Sequence, residues 1–458
     1  MKIKQRASQQ LNSNVRFQAL IIIHEVMFEE EYSNIRLQKV IEQNLFSDKD
    51  QALLVRLVYG SIQHYSYLSY QVDQVSQGRK LDTWVRVLLT LSLYQLLYLD
   101  RIPDHAVINE AVTIAKTNGH GGLGNFVNAI LRKFQRQGEV DIDESLPEID
   151  QWAIRYSIQK EIIEILLEQR PASEVEALLG NLNQAPYLSV RIQPKKTTRE
   201  DVKIELMQAG YDVEDSPISP YGLRLREGNV VTSLAYREGR IIVQDESSML
   251  VAPIGKLQGD EKVLDTCSAP GGKATHIASL LDQGSVLALD ISEAKLNKVA
   301  QHAQRMDLSD WLICQLADAT TFSPVTGMVY DRIYVDAPCS GLGLMRRKPE
   351  IKHKPHRQAI KNLREIQYKI LENIYTLLAP GGILVYSTCT ISHEENELLL
   401  EQWLQAHPDM TVDPITPQEC QADLSLTDQG YIRIWPDQYH TDGFFIARMT
   451  KESKSDTN

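Results

Sequence analysis

Two cysteines in this chain stand where a thiol could act as a nucleophile. Cys339 lies in Asp336-Ala-Pro-Cys-Ser340, and Cys389 lies in Ser387-Thr-Cys-Thr390. Each follows an apolar run that reads as a strand, Arg332-Ile-Tyr-Val335 and Ile383-Leu-Val-Tyr386. Thiols just past strand ends, flanked by hydroxyls, suit covalent catalysis. One chemistry needs such a group above others. Carbon 5 of cytosine is too poor a nucleophile to take a methyl group directly, and adding a thiolate to carbon 6 turns the ring into an enamine-like nucleophile. Asp336, three residues before Cys339, is placed to hold N3 and the exocyclic amine, which would favour cytosine over uracil. Spacing alone does not say which thiol attacks. Cys267, Cys314 and Cys420 read as small core residues.

A third run, Lys262-Val-Leu-Asp265, leads into Thr266-Cys-Ser-Ala-Pro-Gly-Gly-Lys273 and then into a helical pattern. The loop has neither the G-x-G-x-x-G of a dinucleotide site nor the G-x-x-x-x-G-K-[ST] of a phosphate loop. Pro270-Gly271-Gly272 permits a sharp turn and close approach of backbone to a ligand. The helix from about Lys273 would turn its first amides toward a ligand carboxylate. Asp290 ends the next strand, Val286–Leu289, roughly 20 residues after the glycine turn, where an α/β sheet places an acid on ribose hydroxyls. Asp318 ends the third strand and could reach an adenine amino group. A ligand with a carboxylate, a ribose and an adenine but no pyrophosphate is S-adenosylmethionine. Its expected contacts are Cys267, Ser268, Ala269, Pro270, Gly271, Gly272, Lys273, Asp290, Asp318 and Asp336.

These motifs need a scaffold with parallel strands. From about 246 to 449, strands alternate with helices of ten to twenty residues, which predicts a doubly wound α/β domain. The runs Tyr431–Trp435 and Gly443–Met449 are expected to close its edge as an antiparallel hairpin. Residues 450–458 are polar and are expected to form a disordered tail. Residues 1–137 look all-helical. Apolar positions recur at helical spacing in Ala19, Leu20, Ile23, Val26 and Met27, and Trp84–Leu99 reads as a buried helix. Asp104 is expected to cap a helix from His105, and another helix is expected from Phe126 to Phe134. Gly119–Gly124 reads as a turn or an RNA-facing loop. Residues 138–185 read as an acidic linker and connecting helices, with Ser173 and Glu176 as a capping box. Residues 186–245 read as a small α+β domain, ferredoxin-like or RNA-recognition-like, with Thr198 and Asp201 capping its helix.

The 458 residues, 43% apolar and 24% charged, are ordinary for a soluble globular protein. A net charge of −12 argues against non-specific coating of nucleic acid, although the stretch Arg346–Arg357 is locally basic. Five scattered cysteines without a CxxC pair argue against disulfides and zinc. With no leader or membrane-length apolar segment, the expected setting is cytoplasmic, without a metal and without a membrane. A monomer is expected.

As a set, Asp336-Ala-Pro-Cys-Ser340, Ser387-Thr-Cys-Thr390 and Cys267-Ser-Ala-Pro-Gly-Gly-Lys273 resemble the motifs of RNA cytosine carbon-5 methyltransferases of the Sun family. Over nearly its whole length the chain is similar to the bacterial ribosomal RsmB (Sun/Fmu) type. Val107-Ile-Asn-Glu-Ala-Val112 and Phe126-Val-Asn-Ala-Ile-Leu-Arg132 resemble that type's NusB-like helical domain. The resemblance implies that Cys389 is the nucleophile and that Cys339 assists product release. It implies methylation of small-subunit (16S) ribosomal RNA. Arg346, Arg347 and Lys352 fall in a segment that resembles one near the substrate channel and are expected to meet RNA phosphates. There the usual Asp is Glu350 and the usual Trp is His353. The NusB-like and small α+β domains would select the RNA. Transfer RNA as substrate, an RNA-binding assembly factor and an amino-group methyltransferase are the competing readings. The last would carry Asn/Asp-Pro-Pro-aromatic where this chain has Asp-Ala-Pro-Cys.

Overall fold

The computed structural model describes residues 11–453 apart from 227, 325–326, 421–423 and 425. They form two compact units: residues 11–184 with 345–355, and residues 185–344 with 356–453.

The first unit is helical. Its helices include Val15–Phe28, Asp48–Gln63, Tyr65–Ser76, Thr83–Tyr98, Asp104–Asn118 and Gly121–Gln137. Thr83–Tyr98 is apolar on nearly every side and lies in the core, burying Trp84, Leu88 and Leu91. The turn expected over Gly119–Gly124 is confined to Gly119 and His120. His120 caps a helix that starts at Gly121, its Nδ1 accepting from the Leu123 amide, so the glycines after it form the first turn. Asp104 is the first helical residue rather than a cap, because Pro103 already fixes the entry. The acidic stretch after Gly138 is not a free tether. Val140 exchanges two 2.8 Å hydrogen bonds with the Gln71 side chain, and helices Glu148–Arg155, Lys160–Leu167 and Ala172–Asn181 follow within the same unit. The expected box at Ser173 does not form, since that helix already begins at Ala172, behind Pro171.

The second unit holds two sheets. The smaller is built from β1 (Leu188–Ile192), β2 (Val213–Asp215), β3 (Gly222–Leu225) and β4 (Ile241–Val243) in the order β2-β3-β1-β4, all antiparallel. Helix Arg199–Gln208 packs on it, and Thr198 caps that helix by accepting from the Asp201 amide. This is the strand order of a ferredoxin-like fold.

The larger sheet contains β5 (Lys262–Asp265), β6 (Ser285–Asp290), β7 (Leu312–Leu316), β8 (Tyr330–Asp336), β9 (Leu378–Thr388), β10 (Met410–Val412), β11 (Ile432–Ile434) and β12 (Phe444–Lys451). Its order is β10-β12-β9-β8-β5-β6-β7, with β11 paired to β12. β5 to β9 run parallel, and β12 runs antiparallel to β9. The order reverses between β5 and β8, and the crevice at such a switch point is where open α/β sheets take ligands. The expected hairpin of β11 and β12 forms, but β12 is inserted between β9 and β10 rather than lying at the edge. β12 also continues through Lys451, two residues into the expected tail, and 454–458 lie outside the described residues. One crossover departs from the expected alternation. The β7–β8 connection carries no helix among the described residues, and Asn373 of helix Arg357–Tyr375 pins it by donating to the carbonyls of Ala319 and Phe322.

Candidate active site

Strand register places the acids and thiols. β8 and β9 are parallel neighbours with Asp336 beside Ser387, and the chain turns away from the sheet just beyond each. Cys339 and Cys389 therefore emerge side by side, with their sulfurs 3.4 Å apart. Both are free thiols and partly exposed. The Cys339 thiol is pushed well above the ordinary range, first by its contact with Cys389, then by burial and by the negative charges of Glu395 and Asp336. Cys339 is therefore held as S–H.

Asp336 is braced on both oxygens. Ser387 Oγ donates to Oδ1 at 3.0 Å, and Lys273 Nζ lies 2.8 Å from Oδ2. Burial lowers the Lys273 ammonium, but Asp336, Cys389 and Asp265 more than offset this and leave it above its ordinary value. The Phe444 ring faces the same ammonium, 5.1 Å from its centroid.

The expected cofactor loop lies at the ends of β5 and β6. Gly271 has φ +106°, and a Cβ there would crowd the Val299 backbone, so the turn requires glycine. Helix Gly272–Ser279 starts immediately after it. Ser268 is pinned to β6, its amide and hydroxyl both donating to the Leu289 carbonyl at 2.8 and 2.9 Å. Asp290 accepts from the Ser292 amide at 2.9 Å, and Asp318, which is exposed, accepts from the Thr320 amide and hydroxyl. Each of these two aspartates thus shapes its own turn.

Two acids at this site escaped the sequence reading. Asp265 ends β5, is buried, and has no full hydrogen bond to either oxygen among the described residues. Burial, with the Asp336 charge adding to it, raises its carboxyl to about 7. Its strand-end position was the available signal. Glu395 is also buried and clasps both thiol loops. It accepts from the Ser340 amide at 2.8 Å, from the Ser340 hydroxyl, from Thr390 Oγ1 at 3.1 Å and from Gln367 Nε2 at 3.1 Å. Ser340 and Thr390 are the residues following the two cysteines, and their hydroxyls lie 2.8 Å apart. Nothing in the spacing of Glu395 marks it, because the contacts come from the fold.

Arg346, Arg347 and Lys352 lie in one segment of the chain. Residues 345–355 belong to the helical unit. Lys352 is fully buried, at 0% exposure. Its ammonium donates to the Gln63 carbonyl and Asn183 Oδ1, each at 2.7 Å, and to the Tyr156 carbonyl at 3.4 Å. That corrects the expected phosphate contact for Lys352, since its charge is committed to interior acceptors. Arg346 is buried as well. Glu350 accepts from the Ser33 amide and hydroxyl, and His353 Nε2 meets the Ile62 carbonyl at 2.7 Å. A tryptophan in place of His353 would offer the same ring N–H.

No helix among the described residues is long and apolar enough to cross a membrane, and no group of three or more potential metal ligands occurs among them.

Three family descriptions match the chain. They are the NusB family over residues 13–136, the ferredoxin-like domain of RsmF/B-like methyltransferases over 162–232, and the 16S rRNA methyltransferase RsmB/F over 252–450. The chain is 35% identical over 447 residues to a probable ribosomal RNA small subunit methyltransferase B of Bacillus subtilis (strain 168), covering 96% of this chain and 99% of that one. It is 33% identical over 417 residues to the ribosomal RNA small subunit methyltransferase B of Yersinia pestis bv. Antiqua (strain Angola), covering 90% and 92%. A crystal structure of the protein PH0851 shares the fold, with a TM-score of 0.80 at 24% identity over 95% of this chain and 99% of that one.

Proposed function

The chain belongs to the RsmB/F family of ribosomal RNA small subunit methyltransferases, and from that premise we propose that it methylates carbon 5 of a cytosine in 16S ribosomal RNA through a covalent Cys389–cytosine adduct. The observation that carries this reading is the pair of sulfurs 3.4 Å apart beside a braced carboxylate, at the ends of neighbouring parallel strands. Amino-group methylation has no use for two thiols there.

The residues around β5 and β6 suit S-adenosylmethionine. The Gly271 turn lets backbone come close, the first amides of helix Gly272–Ser279 suit a carboxylate, Asp290 suits ribose hydroxyls, and the unsatisfied Asp265 suits a nearby positive charge. When bound, this cofactor supplies the electrophilic methyl group.

The remaining steps belong to the protein's own side chains. The Cys389 sulfur attacks carbon 6, forming the S–C6 bond and placing the electron pair at carbon 5. Asp336, oriented by Lys273 and Ser387, holds the pyrimidine edge. After transfer a base takes the carbon-5 proton, the C5–H electron pair forms the C5=C6 double bond, and the S–C6 pair departs with the Cys389 sulfur, which restores the aromatic ring. Cys339, held as a thiol at 3.4 Å, can donate S–H to the departing Cys389 sulfur and so favours its release. The target base must leave its stack to reach these atoms.

The test is transfer from labelled S-adenosylmethionine to unmodified 16S ribosomal RNA and, separately, to transfer RNA, with bisulfite mapping. The expected result is one protected cytosine in the ribosomal RNA. Methylation of transfer RNA alone would contradict the substrate assignment.

A further inference from the structure

Arg191 sits in the middle of the small sheet, in β1, far along the chain from any motif. It is fully buried. Its guanidinium does not serve its own sheet. Nη1 donates to the Gly272 carbonyl and to Gln244 Oε1 at 2.6 Å, and Nη2 donates to Thr275 Oγ1 at 3.1 Å. Gly272 and Thr275 form the first turn of the helix that follows the cofactor loop. Thr275 Oγ1 in turn donates to the Gly271 carbonyl at 2.6 Å, so the contact reaches the glycine turn itself.

The rest of the same face is held from the small domain too. The Tyr221 ring packs edge-on against His276 at 4.8 Å between centroids, and His276 is completely buried. The next helix, Glu293–Arg305, is tied down at its end. Gln193 Nε2 donates to the Met306 carbonyl at 3.2 Å, and Arg305 donates to the carbonyls of Tyr236 and Ile241. These are the helices that follow β5 and β6, whose ends carry the glycine turn and Asp290. A buried guanidinium is costly unless its hydrogen bonds are met, and burial pulls the Arg191 pKa down to about 9. A core of this size could be filled by an apolar side chain at lower cost, so the fork geometry is the feature that needs a reason.

We propose that Arg191 of the ferredoxin-like domain is a positioning residue for the cofactor loop, setting the Gly271–Thr275 turn for S-adenosylmethionine from outside the methyltransferase domain. The inference rests on the cofactor reading above. It gives the small domain a role in cofactor affinity that is separate from any contact with RNA. A guanidinium forks between two acceptors in a fixed plane, whereas a lysine is a point charge that meets one of them.

Calorimetric titration of S-adenosylhomocysteine into wild type, R191M and R191K tests it, with melting temperatures measured alongside and with KM for cofactor, KM for RNA and kcat read on the same preparations. Loss of hydrogen bonds to a charged group predicts a Kd about tenfold or more higher in R191M, and a smaller rise in R191K. KM for cofactor should rise in step while KM for RNA stays put. A purely structural role would lower melting temperature and active fraction without moving cofactor Kd in the molecules that remain folded. If R191M does not fold, R191K alone decides, since it keeps the charge and loses the fork. Wild-type Kd in a folded R191M, or in R191K where R191M does not fold, overturns the proposal and leaves the cofactor reading standing. No binding to wild type overturns both.

Discussion

Asp265 shows what a single residue contributes that a motif does not. It is buried at the end of the first strand of the large sheet, with its carboxyl raised to about 7 and both oxygens unsatisfied. As pH rises through 7 the carboxylate becomes the major form, and a cationic ligand binds that form better. Cofactor Kd should therefore fall by roughly tenfold between pH 6 and pH 8, tracking the ionised fraction. Asp265→Asn should remove the dependence, as measured by calorimetric titration of S-adenosylmethionine at each pH. An unchanged pH profile in the variant would take Asp265 out of the cofactor site. Single residues were legible in the sequence where they sit in a motif, as Cys339, Cys389, Asp336 and Asp290 do. Asp265 and Glu395 were not, because what distinguishes them is burial and partners brought from elsewhere in the chain.

At the scale of elements, the site is two loops leaving two adjacent strands, and Glu395 keeps them in step. It binds the residue after each cysteine, so the two sulfurs keep their relation only if that clasp holds. Glu395→Gln keeps the shape and loses the charge-assisted bonds, each worth about 1.5–3 kcal/mol. Adduct formation should slow by about tenfold or more, with RNA affinity unchanged, in single-turnover experiments. A wild-type rate would mean that the loops hold their geometry without the clasp. The strands at this site were readable from their apolar runs, and their parallel direction from the alternation with helices. Helix starts were less so. Gly119–Gly124 looks like a breaker because glycine disfavours helix, yet with His120 as cap the next helix starts at Gly121, inside the stretch. The box at Ser173 failed for the opposite reason, because Pro171 had already fixed the start.

At the scale of the whole molecule, the chain leaves the catalytic unit just after Leu344, runs through residues 345–355 inside the helical unit, and returns at His356. The departure point is five residues beyond Cys339. Composition made this segment look like an exposed basic patch. Lys352 and Glu350 are instead buried among acceptors and donors of the helical unit. No local pattern could show that, since Gln63, Tyr156 and Asn183 are remote in sequence. Burial pulls the Lys352 pKa down to about 7, below its unfolded value. Between about pH 7 and 10 the unfolded chain holds more protons at this site, so stability rises with pH in that window. Burial lowers His64 to about 4 and His353 to about 3, with the Lys352 charge adding to both, and their contribution is lost as pH falls from about 6.5 toward 4. The melting temperature should climb from pH 7 to pH 9 in wild type, and Lys352→Met should flatten that climb. An equal climb in the variant would assign it to other groups.

The central claim is a covalent bond between Cys389 and the target base. The direct measurement is a denaturing gel of enzyme with labelled 16S ribosomal RNA and S-adenosylmethionine, run for wild type, Cys339→Ala, Cys389→Ala and the double variant. The two-thiol mechanism predicts a retarded protein–RNA band that accumulates in Cys339→Ala, because release is slowed, and is missing whenever Cys389 is replaced. A band that persists in Cys389→Ala, or normal turnover by that variant, would contradict the assignment of the nucleophile.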